Sequence, residues 1–191
     1  MLVSKSVNAT HYEDLPTFPK KRKKNTVHAI IETCKNSPHK YALKNKYGII
    51  ALKEVLPDGM HWPYDYGFIP GTLAPDGDPL DILVITQEGL FSGCLVTARV
   101  LGAIRELKNG IENDRLISTL LPSKGAPQPS DDYKDIADVP EPLLLEIKNF
   151  LKSYSEQQGN RIKIKGTVNA TRALRIVEKT QKVFATKHRP K

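Results

Sequence analysis

Short apolar runs dominate the chain from residue 27 onward and predict a series of β-strands. The clearest predicted strands are 80–86 and 93–104, which are dense in Ile, Val and Leu and bounded by Gly or Pro. Weaker patterns predict strands at 27–33, 41–44, 48–54, 115–120 and 161–166. Residues 45–48 have the composition of a hairpin connection, and residues 108–113 read as a polar turn.

Two later segments have helical spacing instead. The first follows Pro140 and Pro142, which suit a first helical turn, and its apolar positions are Leu143, Ile147, Phe150, Leu151 and Tyr154. The second has Asn169 as its predicted N-cap and an apolar face formed by Ala170, Ala173, Leu174, Val177 and Phe184. Many strands followed by helices around one late strand predict an α+β fold, a small closed β-barrel with flanking helices.

The composition is that of one globular domain. The chain has 191 residues, of which 39% are apolar and 26% charged. No apolar run approaches the roughly 20 residues needed to cross a bilayer, and the N-terminus lacks the pattern of a secretory signal. We therefore expect a cytoplasmic protein with no membrane contact. Cys34 and Cys94 are far apart in sequence and are expected to be reduced core residues.

The net charge of +8 is concentrated near the ends of the chain. Residues 20–24 are five consecutive Lys or Arg residues, which are typical either of a nuclear import signal or nucleic-acid arm, or of a solvated extension. We favour the solvated extension, because short basic runs are common by chance, and we do not expect nucleic acid as a partner. The predicted organisation is a basic extension (1–26), a domain (27–187) and a basic tail (188–191).

Three carboxylates fall within six residues, just before a predicted strand, in the run Asp76-Gly77-Asp78-Pro79-Leu80-Asp81. Gly77 permits a tight turn and Pro79 fixes the backbone between the acids. Crowded carboxylates need cations, and hard oxygen ligands suit Mg²⁺ or Mn²⁺. A turn without a metal is the alternative, since Asp, Gly and Pro are common turn residues. A calcium loop is disfavoured because the required downstream Glu is missing.

This run, with the preceding Tyr66-Gly67-Phe68-Ile69, resembles the signature of the soluble, barrel-type inorganic pyrophosphatases. The resemblance extends over residues 27–184. It implies a five-stranded OB-like barrel that hydrolyses pyrophosphate to two phosphates by direct attack of a Mg²⁺-bound water, with Mn²⁺ as a second candidate ion. It also implies a homo-oligomer, either a hexamer or a dimer.

The resemblance further implies a role for each matching residue. Asp76 and Asp81 would hold the main metal ions, and Asp78 would be the general base and a further metal ligand. Glu32 and Asn113 complete the expected set of metal ligands, and Tyr66 is expected to take part in catalysis. The residues expected to bind phosphate oxygens are Lys40, Lys53, Arg115 and Tyr154.

Several positions depart from the family pattern. Lys108 and Asn113 stand where the family has two metal-binding Asp residues, and Arg115 stands where it has Lys. Three further differences are Ala42 for Glu, Lys53 for Arg and Ser155 for Lys. We therefore expect the metal sites at Asp76 and Asp81 to survive and the additional sites to be weakened or lost.

Two hypotheses follow for Lys108. Its ammonium either replaces part of the charge of a lost metal ion or points into solvent from a variable turn. Strand alternation places Asp114 on the face opposite Asn113 and Arg115, which argues against Asp114 as a substitute ligand.

These departures keep two other functions open. One is hydrolysis of another phosphoanhydride or a phosphoester, and the other is a catalytically silent barrel that binds nucleic acid or protein. Trp62, Tyr64 and Phe68 are expected to be core residues rather than a binding platform.

Overall fold

The computed structural model describes residues 12–44, 46–121 and 129–187. The described strands are β1 (Thr26–Thr33), β2 (His39–Lys44), β3 (Ile49–Val55), β4 (Asp65–Ile69), β5 (Leu80–Ile85), β6 (Leu95–Lys108), β7 (Ile111–Glu112), β8 (Arg115–Leu120) and β9 (Ile162–Asn169). The described helices are α1 (Glu141–Gln157) and α2 (Ala170–Lys187), and three 3-10 turns lie at Tyr12–Asp14, Pro129–Asp132 and Ile136–Asp138.

Five of these strands close into a ring in the order β1-β4-β5-β8-β6, because β6 also pairs with β1. All these pairings are antiparallel except that of β5 with β8, which is parallel and matches Ile82 with Leu116. β7 and β9 extend the sheet from β6. The ring is compatible with the five-stranded OB-like barrel expected from sequence.

The hairpin β2–β3 forms a separate two-stranded sheet beside the ring. Its turn follows the predicted connection, since the backbone N–H groups of Tyr47 and Gly48 both donate to the carbonyl of Lys44 at 2.9 Å. Asn45, which belongs to that prediction, lies outside the described residues. Lys40 lies on β2 and Lys53 on β3, and both strands are short and only partly buried.

Two apolar clusters fill the space between the sheet and the helices. One contains buried side chains of β1, β5 and β6 together with Ala173 and Val177 of α2. The other packs Ile147, Leu151 and Tyr154 of α1 against Trp62 and Tyr66. Trp62, Tyr64 and Phe68 are buried, which confirms that they are core residues.

The N-terminal segment lies against the domain in its described part. The Thr17 hydroxyl donates to the carbonyl of Pro70 at 2.8 Å, and the backbone N–H of Gly71 donates to the carbonyl of Glu13 at 2.8 Å. Residues 1–11 of the predicted extension and the predicted tail at 188–191 lie outside the described residues. Within the described ranges, neither helix is long and apolar enough to cross a membrane.

The predicted elements agree with the structure to within two residues at their ends, except in four details. β6 runs four residues beyond its predicted end, and β9 continues to Asn169. The segment Asp65–Ile69 is a fully buried strand, although no strand is among those predicted from the sequence there. The predicted polar turn at 108–113 is a two-residue turn at Asn109 and Gly110, followed by β7. Both cysteines are free, as expected, but they are half-buried instead of lying in the core.

Candidate active site

A polar cavity of about 140 Å³ opens where the 76–81 turn faces the hairpin β2–β3. Its lining combines acidic and basic side chains, which is typical of sites for charged ligands. The lining residues are Glu13, Glu32, Lys40, Ala42, Leu43, Lys53, Tyr66, Phe68, Asp76, Asp78, Pro79, Asp81, Lys108, Asn113 and Arg115. Of the residues predicted to form the site, all except Tyr154 are in this lining.

The 76–81 turn presents its carboxylates through a fixed backbone. Gly77 has a φ of 93°, and its N–H donates to the carbonyl of Ala74 at 3.0 Å. The backbone N–H of Asp78 donates to Oδ1 of Asp76 at 3.2 Å. Burial raises the pKa of Asp76, and the negative charges of Asp81 and Asp78 raise it further. This excess of negative charge makes the turn attractive to a cation.

Asp81 and Arg115 meet because β5 and β8 are parallel and begin at the same edge of the sheet. The guanidinium Nη1 of Arg115 donates to Oδ2 of Asp81 and to Oδ1 of Asn113. Its Nη2 lies 3.5 Å from Oε1 of Glu106, a side chain that is 2% exposed. Burial of Arg115 by itself would lower its pKa, but the charges of Asp81 and its other neighbours raise the pKa above its ordinary value.

Tyr66 lies beside this ion pair. Its hydroxyl is hydrogen-bonded to Asp81, and its ring centre is 6.0 Å from the guanidinium carbon of Arg115. Burial raises the pKa of the Tyr66 hydroxyl well above its ordinary value. The side chain is therefore a neutral hydrogen-bond donor at physiological pH.

The opposite wall is basic. Lys40 lies over aromatic rings, and its burial lowers its pKa to about 8, with the nearby charge of Lys53 acting in the same direction. Lys53 is exposed at the rim. The negative charge of Asp81 partly opposes the fall in the pKa of Lys40. The two lysines place positive charge across the cavity from the three carboxylates, which suits a bound anion such as phosphate.

Glu32 lies at the inner end of the cavity on β1. Its Oε1 accepts a hydrogen bond of 2.7 Å from the backbone N–H of Leu43, which ties β1 to the hairpin. Burial raises the pKa of Glu32 to about 7, although that hydrogen bond acts in the opposite direction. Ala42, the neighbour of Leu43, contributes a methyl group to the same wall.

Tyr154 and Ser155 lie on α1, beside the cavity lining. The Tyr154 hydroxyl donates to Oε2 of Glu54 at 2.9 Å and accepts from Gln158 Nε2 at 2.6 Å. Burial raises the pKa of Tyr154. Ser155 is buried in the same helix. A role for Tyr154 in binding phosphate stays a prediction.

Two acidic residues near the cavity were not predicted from the sequence to belong to the site. Glu13 comes from the N-terminal segment, where the sequence has no periodic pattern. Glu106 stands two residues before Lys108 on β6, and two-residue spacing puts both on one face of a strand. That spacing was the available signal for Glu106. Asp114 lines a different cavity, behind the turn, as strand alternation predicts.

The acidic turn fits a hard divalent cation by its chemistry. Its three carboxylates offer oxygen donors, and the pKa of Asp76 is raised first by desolvation and then by the negative charges of Asp81 and Asp78. Among the described residues, however, no three acidic, imidazole or thiol groups converge closely enough to form a metal cluster. The turn therefore forms one wall of a cation site, not a closed cage.

Comparisons with known proteins agree with this arrangement. The family model described as inorganic pyrophosphatase matches residues 29–185. The chain is 35% identical to an inorganic pyrophosphatase of Synechocystis over 90% of its own length and 99% of the relative's, and 38% identical to that of Geobacillus stearothermophilus over 72% and 81%. The crystal structure of the Thermus thermophilus inorganic pyrophosphatase superposes with a TM-score of 0.81 at 33% identity, over 92% of this chain and 99% of the other.

Proposed function

The chain belongs to the inorganic pyrophosphatase family, and we propose that it hydrolyses pyrophosphate to two phosphates in the cavity between the 76–81 turn and the hairpin β2–β3. The observation that carries the proposal is the opposition of three carboxylates to Lys40 and Lys53 in one cavity. A substrate with charged phosphate oxygens needs such positive groups, and its hydrolysis needs an acceptor for the proton of water.

Asp76, Asp78 and Asp81 would hold one divalent cation, which we propose to be Mg²⁺, with Mn²⁺ as a substitute. A bound Mg²⁺ supplies neutralisation of phosphate charge and activation of water. Asp78 is the proposed proton acceptor. Its side chain is exposed at the cavity mouth and is therefore accessible to water. Tyr66 donates a hydrogen bond that orients Asp81.

The lysines have a separate role in this proposal. Lys40 and Lys53 would bind the phosphate oxygens, and together they would hold one phosphorus atom within reach of a water bound at the acidic turn, with the bridging oxygen on the opposite side of that phosphorus. Positioning and charge stabilisation account for most of the catalysis of phosphoryl transfer, so these contacts would act on turnover as well as on binding.

Phosphate release from pyrophosphate tests the proposal. The wild type and Asp78→Asn are compared over a range of Mg²⁺ and Mn²⁺ concentrations, with Asp58→Asn as a matched control in an exposed turn. Removal of the proton acceptor should lower turnover by about 10²-fold or more. Equal rates for Asp78→Asn and the wild type would contradict the assigned role. Absence of release from folded wild-type protein would contradict the activity itself.

A second candidate is hydrolysis of another phosphoanhydride or a phosphoester, which is favoured by Lys108 and Ala42 on the cavity wall. Relative to the family pattern, these two residues remove two carboxylates; Lys108 adds a positive charge and Ala42 leaves more room, which would suit a different phosphate compound. A substrate panel that includes nucleoside triphosphates and phosphomonoesters distinguishes the two candidates. A preference for pyrophosphate of less than about tenfold would favour the second.

We also propose a homo-oligomer and a cytoplasmic location. Ile49, Leu52 and Val55 on β3 are more than half exposed, and they would give self-association an apolar surface. Light scattering of the purified protein measures the mass, and Leu52→Ser should lower it if β3 lies in the interface. Cell fractionation tests the location.

A further inference from the structure

The guanidinium of Arg115 contacts oxygen atoms of other side chains inside the cavity. Its Nη1 donates to both Asp81 and Asn113, and its Nη2 faces Glu106 at 3.5 Å. The side chain is 10% exposed, so these contacts are largely shielded from water. Charge-assisted hydrogen bonds in such surroundings are stronger than neutral ones. Arg115 is thus held in place by three side chains from three different segments.

The three oxygen atoms around Arg115 are of the kind that could bind a divalent ion if the guanidinium were not there. Two carboxylates and one amide carbonyl are hard oxygen donors of the kind that bind Mg²⁺. Here a single guanidinium supplies the neutralising charge instead. In the described part of the chain, Oε2 of Glu106 and Nε of Arg115 are buried without a hydrogen-bond partner. The guanidinium therefore supplies positive charge to these oxygens but does not satisfy all of their hydrogen-bonding capacity.

Lys108 adds a second positive charge at this end of the cavity. It lines the cavity and interacts electrostatically with Glu106, two residues away on the same face of β6. This position agrees with the hypothesis that the Lys108 ammonium replaces the charge of a metal ion. The direct contacts with the oxygen donors nevertheless come from Arg115.

We infer that Arg115 is a resident cation that takes the place of a divalent metal ion among Asp81, Asn113 and Glu106. The cavity of this chain then holds one divalent ion, at the 76–81 turn, and no second ion among Asp81, Asn113 and Glu106. The inference rests on the proposed function in one respect, that Mg²⁺ is the ion concerned. Arg115 accordingly acts as a positioning residue for Asp81.

Counting bound ions tests this inference without a measurement of hydrolysis. Mn²⁺ serves as the probe, and equilibrium dialysis or electron paramagnetic resonance gives the number bound per chain. We expect Arg115→Met to bind one ion more than the wild type. Adding Asp81→Asn in the Arg115→Met background should remove the additional ion. The control Lys53→Met deletes a positive charge from another strand of the same cavity and should leave the count unchanged.

Two results would overturn the inference. One is an equal count for the wild type and a folded Arg115→Met protein, with folding verified by circular dichroism. The other is a wild-type protein that binds two or more ions of which Asp81→Asn removes one, a result that needs no Arg115 variant to fold. Arg115→Gln, which keeps one N–H donor for Asp81, repeats the test if the Met variant is unstable. The numbers of bound Mn²⁺ ions do not depend on hydrolysis. A wild-type protein that releases no phosphate but gives the expected ion numbers would therefore contradict the proposed function and still support this inference.

Discussion

The ammonium nitrogen of Lys40 lies 4.8 Å from the centre of the Tyr154 ring. The same nitrogen is 5.4 Å from the ring centres of Trp62 and Tyr66, so three aromatic rings surround one cation. Each contact attracts the charged form of the lysine. Burial acts in the opposite direction and lowers the pKa of Lys40 to about 8. The balance leaves the charge of this residue sensitive to pH near neutrality.

Binding of pyrophosphate should therefore weaken as the pH rises through 8. Lys40 is charged below its pKa of about 8 and loses its attraction for phosphate oxygens above it. We expect KM of the wild type, relative to that of Lys40→Arg, to be constant below pH 7. Above pH 8 it should rise by up to about tenfold per pH unit, because Arg stays protonated. Steady-state kinetics from pH 6 to 9.5 measures this ratio. A ratio that does not change with pH would contradict a phosphate-binding role for the Lys40 ammonium.

Glu32 should make the stability of the metal-free protein depend on pH. Its pKa is raised by burial from the ordinary 4.5 to about 7, so between these values the folded state binds the proton more tightly than the unfolded state. The free energy of unfolding should consequently fall as the pH rises from 4.5 to 7, by on the order of 3 kcal/mol. The Gln side chain of Glu32→Gln cannot ionise, so this variant should lack that pH-dependent fall in the free energy of unfolding.

Urea unfolding in EDTA at several pH values checks the Glu32 prediction. The exposed Glu88→Gln serves as a control for the loss of any carboxyl group. Parallel pH profiles for the wild type and Glu32→Gln would mean that the folded environment does not disfavour the Glu32 carboxylate.

The sequence predicted the ring of strands well but missed β4. The apolar runs that form β1, β5, β6 and β8 are long enough to identify locally. The segment Asp65–Ile69 contains Asp, Gly and two aromatic residues beside Pro70, and this composition does not distinguish a strand from a loop. Only pairing with both β1 and β5 makes it a strand, and such pairing is a long-range property.

The same limit applies to the site. The motif identified Asp76, Asp78 and Asp81 because they are close in sequence. The contact of Arg115 with Asp81 depends on the parallel register of β5 and β8, which joins residues 34 positions apart. The burial of Glu106 likewise arises from the closed ring, since its two-residue spacing from Lys108 places both residues on one face of β6 but does not show that this face is buried.

Gly67 should tolerate no side chain. A Cβ atom at this position would lie 1.8 Å from the carbonyl oxygen of Ile30, in the neighbouring strand β1. Backbone atoms cannot move aside without opening the ring, so Gly67→Ala should lower the free energy of unfolding by at least about 3 kcal/mol. Gly110→Asn is the matched comparison, because nothing lies within 4 Å of a Cβ there and Asn accepts its φ of 87°. Chemical denaturation should show a loss of about 1 kcal/mol for Gly110→Asn, and similar losses for the two variants would contradict the clash.

Asp65 is expected to stabilise the fold without taking part in catalysis. It is fully buried, its Oδ1 accepts from the backbone N–H groups of Lys35 and Leu90 at 3.0 Å, and its Oδ2 accepts from the Thr86 hydroxyl at 2.5 Å. Asp65→Ala leaves these donors unsatisfied and should cost about 3 kcal/mol of unfolding free energy or more. Asp65→Asn can keep all three contacts, because its amide N–H can donate to the hydroxyl oxygen of Thr86.

The comparison of Asp65→Asn with Asp78→Asn separates structural from catalytic carboxylates. The Asp65 variant should keep wild-type turnover per folded molecule and lose about 1 kcal/mol of stability at most. The Asp78 variant should show the reverse, with intact stability and lost turnover, because the Asp78 side chain is exposed at the cavity mouth. Denaturation curves and phosphate release measured on the same preparations give both quantities. A large loss of turnover in folded Asp65→Asn would show that Asp65 also acts on the site, through its bond to the backbone of Lys35 beside the hairpin.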